Sequence, residues 1–127
     1  MQAIVDAAQV TKPVLYYHFG SKEGLFSALV EWAGDERWRR TQAAAARGKT
    51  LADKYTEILA ATFDFVRQNR ELTRLAMGTA FAAKGEVPNP GLCMTKGRQV
   101  FDMMLKLAET GRRNGVLKRE FCALELT

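Results

Sequence analysis

Apolar residues in this chain recur at three and four positions almost throughout, which is the repeat of a helix and not the alternation of a strand. The clearest case is Leu51, Tyr55, Ile58, Leu59, Thr62 and Val66, a single stripe behind Thr50 and Asp53, whose spacing is that of a capping box with the shorter acid. No run of β-branched residues competes with this pattern. A hydrophobic content of 47% gives 127 residues enough apolar matter for one buried core. The fold class read from this periodicity is all-α.

Punctuation divides the remainder into further helices. Gln2 to Gln9 is a short helix that needs a neighbour to be stable. Thr11 offers a capping hydroxyl ahead of Pro13, opening a second short helix that ends at Gly20. Ser21 caps a third, which carries Leu25, Phe26, Leu29, Val30 and Trp32 and runs past a possible bend at Gly34 to Gly48. Asn69 closes the Thr50 helix and caps the next, from Glu71 to about Lys84, with Leu72, Leu75, Met77 and Phe81 apolar. A loop covers Gly85 to Pro88. Asn89 and Pro90 then start a helix that ends with Arg112, Arg113 and Asn114 before Gly115, the two arginines matching the negative end of the helix dipole.

Composition removes several functions. No apolar run is long enough to span a bilayer and no signal peptide opens the chain, so it reads as cytosolic with no membrane partner. Cys93 and Cys122 are far apart and lack a CxxC or histidine neighbour; they read as reduced, partly buried thiols, and no metal or other cofactor is expected. No nucleophile and base stand at a catalytic spacing, so the chain does not read as an enzyme. The net charge of +5 is spread over both halves and permits an anionic partner without demanding one. Arg37, Arg39, Arg40 and Arg47, interspersed with Asp35 and Glu36, read as a solvated face.

Two short helices joined by a tight turn and backed by a longer one have the layout of a helix-turn-helix, whose second short helix enters the DNA major groove. In VTKPVLYYHF, Leu15 and Phe19 are four apart and suited to the core, while Pro13, Val14, Tyr16 and Tyr17 project round the other sides. Tyrosine hydroxyls and lysine ammonium groups bond phosphate oxygens, Val14 suits a thymine methyl, and Lys12 suits the O6 and N7 acceptors of guanine. Taken singly, Tyr16 and Tyr17 are ordinary amphipathic cover for a core, and His18 is a solvated or packed ring.

The run IVDAAQVTKPVLYYHFGSKEGLFSALVE, residues 4–31, resembles the second half of the DNA-binding domain of TetR/AcrR-family transcriptional regulators. The resemblance implies that Thr11 to Phe19 is the recognition helix, that Lys12, Pro13, Val14 and Tyr17 approach bases, and that Tyr16, His18 and Lys22 grip phosphates. It also implies a partial helix-turn-helix domain over residues 1–31 and a helical effector-binding region over residues 32–127. Family members carry another helix ahead of this motif and two long dimerisation helices at the other end, so the chain is expected to be a fragment incomplete at both ends. Such a fragment is expected to bind operator weakly and to leave Ile4, Leu15, Phe19, Leu25 and Phe26 partly exposed.

Phe63, Phe65, Met77, Phe81, Met94, Phe101, Met103 and Met104 supply aromatic and thioether surface on the later helices, and by the same resemblance a small apolar effector is expected among them, with Phe63, Met77, Phe81, Phe101 and Met104 as its lining. The reading is a ligand-responsive repressor that holds double-stranded operator DNA as a homodimer when complete. The alternative is a helical module that binds a protein or small ligand and never touches DNA.

Overall fold

A computed structural model of the chain describes residues 1–80 and 90–118. Phe81, the expected helix end near Lys84, the loop from Gly85 to Pro88, the Asn89 cap and Cys122 lie outside the described residues, as do the side chains of Cys93 and Met94. The described part holds helices α1 (Gln2–Ala8), α2 (Lys12–Phe19), α3 (Lys22–Arg47), α4 (Leu51–Gln68), α5 (Arg70–Ala80) and α6 (Pro90–Arg113), and no strand.

Helix ends follow local chemistry. At the start of α4 both halves of the capping box form: the Thr50 hydroxyl accepts from the Asp53 amide at 3.1 Å, and the Asp53 carboxylate accepts from the Thr50 amide at 3.0 Å. The Ser21 hydroxyl caps α3 by accepting from the Gly24 amide at 3.0 Å. Thr11 is different. Its backbone is extended and precedes α2, but its hydroxyl takes no capping bond, because Pro13 in the first turn removes one of the two N–H groups such a cap can engage. Asn69 likewise does not cap α5 with its side chain; its amide donates back to the Phe65 carbonyl at 3.0 Å and closes α4.

α6 ends in a left-handed Gly115, with the Gly115 and Val116 amides donating to the Arg112 and Gly111 carbonyls. α1 ends the same way on a residue with a side chain. Gln9 has φ 54° while its amide and that of Val10 reach Asp6 and Val5, so the turn of the helix-turn-helix is held by backbone bonds.

α3 is the spine. It meets α2 at its start and packs along α4 and α6, while α5 bridges α4 and α6. It runs unbroken through Gly34. The core between these helices holds Val30, Ala44, Ile58, Phe65 and Ala108, with Val5 and Leu15 buried at the amino-terminal end. Thr41 is buried within α3, its hydroxyl donating to the Arg37 carbonyl at 2.8 Å. The core stripe of α4 drifts from expectation: Ile58 and Phe65 are buried, whereas Leu59 and Val66 are exposed.

Candidate nucleic-acid interface and apolar cleft

α2 is anchored by one side chain. Leu15 is 4% exposed, and Tyr17, about 200° further round the helix, is 86% exposed. Pro13 and Tyr17 therefore form the outward crest, with Lys12 and Tyr16 on one flank and Val14 and His18 on the other; all six are exposed. The Tyr17 and His18 rings meet edge to face at 5.4 Å between centroids, which holds the two side chains together on the surface. Leu15 is buried, which corrects the partial exposure expected there. Phe19, assigned to the core from its spacing, is 39% exposed, because it is the last residue of α2 and the chain turns away directly after it. Ile4 is also exposed, and Leu25 and Phe26 are half-buried.

The turn from α2 to α3 depends on two glycines. Gly20, at φ 70° and ψ −51°, sits at the centre of a γ-turn in which the Ser21 amide donates to the Phe19 carbonyl at 2.7 Å. Gly24 lies one turn later, where a Cβ would land on the Phe19 carbonyl oxygen. This contact was not anticipated from the sequence, although a glycine in the first turn of a strong helix is a signal of close approach. It seats the end of α2 against the start of α3 and brings Lys22 beside the crest residues' helix. Glu23 is in the same turn, its carboxyl held below the usual range first by a backbone N–H and then by Ser21. A negative charge thus sits at the helix start where Lys22 was assigned a phosphate.

Residues 1–29 match the family model described as bacterial regulatory proteins, tetR family. The match takes in all of α1 and α2, the Gly20–Gly24 junction and the first turns of α3. The match covers 29 of the 127 residues and makes this segment similar to a family of DNA-binding transcriptional regulators. No curated protein and no solved structure matches the chain. No described helix is long and apolar enough to cross a membrane, and the described residues hold no cluster that could bind a metal ion.

Beyond the TetR-type segment, α3, α4 and α5 enclose a cleft of about 230 Å³. Val30, Phe65, Val66, Leu72, Leu75 and Met77 supply its apolar wall, and Gly34 lines it on the α3 side. Of the five expected effector residues, the cleft takes in Met77 alone. Phe63 points to solvent at 70% exposed, while Phe65, two residues on and on the other side of α4, is 6% exposed and lines the cleft. Phe101 lies under the Arg98 guanidinium at 5.1 Å, and Met104 sits on the α4–α6 seam, where its carbonyl accepts the Tyr55 hydroxyl at 2.8 Å. Phe81 is outside the described residues.

The arginines of α3 also divide. Arg39 and Arg40 both bond Glu36, lowering its carboxyl to about 2, and Arg47 pairs with Glu57 of α4 at 2.8 Å. Arg40 is half-buried, lying over the Phe65 ring at 5.5 Å and donating to the Gln68 side chain at 2.7 Å, while Arg39 and Arg47 fit a solvated face. Arg37 does not: it is half-buried and lines the cleft.

Proposed function

We propose that the chain is a ligand-responsive transcriptional repressor. Residues 1–31 lay α2 in the major groove of double-stranded operator DNA, and residues 32–127 form the effector-binding region. The observation that carries this reading is the exposure of Tyr17 directly opposite buried Leu15, on the second helix of a segment matching TetR-type regulators. Lys12, Pro13, Val14 and Tyr17 approach base edges; Tyr16, His18 and Lys22 contact phosphates. The protein acts as a cytoplasmic homodimer and needs no cofactor.

Control is mechanical. α3 carries Lys22 at the DNA end and Arg37 at the cleft, about 22 Å apart along one unbroken helix. A small apolar effector wedged between α3, α4 and α5 tilts α3, changes the separation of the two recognition helices, and so opposes DNA binding.

The test is selection from random duplexes followed by anisotropy titrations across a salt series. Tyr16→Phe and Lys22→Ala should weaken binding by a similar factor on every duplex, and Lys22→Ala should lower the salt slope by about one. Lys12→Ala and Val14→Ala should instead change which bases are preferred. Equal losses on all duplexes for all four variants would contradict the assignment. Absence of any salt-dependent DNA affinity would leave the interaction module in its place.

A further inference from the structure

Arg37 differs from the arginines around it. Arg39 and Arg40 share Glu36, Arg67 takes Asp64, Arg74 takes Glu71 and Arg98 takes Asp102, each acid three or four residues away on the same helix. The residues at those spacings from Arg37 are Ala33, Gly34, Arg40 and Thr41, so its own helix offers no carboxylate. Among the described residues its guanidinium has no ion pair and no hydrogen bond. It extends toward α6, where a Cβ at Gly97 would lie 3.7 Å from its Nη2. It is the charged group of a mostly apolar lining whose other polar side chains are Thr62 and Thr73, and the Thr62 hydroxyl is committed to the Ile58 carbonyl at 2.8 Å. A half-buried cation beside apolar walls has lost hydration that no described residue replaces.

The geometry points to a binding site for a small monocarboxylate with an apolar body, its carboxylate forked onto Arg37 and its body against Phe65, Val66 and Leu72. A planar guanidinium pairs with a carboxylate through two parallel bonds, which an alcohol or amine cannot reproduce. At about 30 Å³ per water-sized group, the cleft takes roughly eight such groups. Its open side, where Met77 is 57% exposed, admits a slightly longer body. This names the ligand class of the effector site proposed above and rests on that reading only for its link to DNA.

Calorimetric titration of the 127-residue chain at neutral pH, without DNA, tests it with octanoate, 1-octanol and octylammonium as probes. Octanoate is expected to bind at least about tenfold more tightly than either of the others. Arg37→Gln should lower octanoate affinity by about tenfold and leave 1-octanol within about twofold, with Arg37→Lys intermediate. The proposal is overturned if wild-type protein does not bind octanoate, if 1-octanol binds as well, or if Arg37→Gln leaves octanoate affinity unchanged. Should Arg37→Gln fail to fold, the ratio of octanoate to 1-octanol on the wild type decides alone. Operator binding without octanoate binding overturns the ligand class and spares the DNA reading; octanoate binding without operator binding does the reverse.

Discussion

Gly24 and Glu36 are small surface features with large local consequences. At Gly24 a methyl group would meet backbone, which cannot rotate aside as a side chain can, so Gly24→Ala must push α2 away from α3. The expected cost is about 2 kcal/mol in a denaturant titration. DNA affinity should fall as well, even though Gly24 is given no contact with DNA. Glu36 illustrates a pH effect. Its carboxyl drops from an ordinary 4.5 to about 2 because Arg39 and Arg40 bond its charged form. A depressed folded-state pKa contributes stability that is fully present above 4.5 and is lost as pH falls toward 2. Glu36→Gln should therefore lower the thermal midpoint at neutral pH, and the gap from wild type should close as pH approaches 2. A constant gap across that range would contradict the pairing.

At the scale of elements, the start of α3 carries two opposed charges. Lys22 favours a phosphate, whereas Glu23 already occupies the positive end of the helix dipole. Glu23→Gln should raise affinity for any duplex by about two- to threefold at low salt, with the gain shrinking as salt screens it. Anisotropy at two ionic strengths checks both parts. Element boundaries were widely legible because they rest on neighbours in sequence. Thr50 with Asp53, Ser21, and Gly115 all act within a turn of themselves. The exceptions have the same local cause: Pro13 takes away an N–H that Thr11 would have capped, and Asn69 turns back to close α4.

For the molecule as a whole, α3 joins the α2 junction to the cleft, so the two proposed sites share one rigid element. Any coupling between them must be reciprocal: if octanoate lowers operator affinity by some factor, operator must lower octanoate affinity by the same factor. Paired titrations, each ligand with and without the other at saturation, should return equal ratios. Unequal ratios in a closed cycle would show that more than one binding event is being read. The buried side chains that fix the pose of α3, among them Ile58, Phe65 and Ala108, come from α4 and α6.

The all-α fold, the short helix pair and the outward aromatic turn of α2 were determined by the sequence, since spacing, caps and a single apolar anchor act over a few residues. Tertiary structure alone decided the cleft. Phe63 and Phe65 are two residues apart and equally aromatic; which one is buried depends on where α3 and α5 lie against α4. Arg37 belongs to the same lesson. In sequence it is one of four similar arginines, and only packing of α3 against its neighbours sets it apart, by half-burying it with no acid to meet among the described residues. Local order is written in neighbouring residues, but burial is a property of contacts between distant ones.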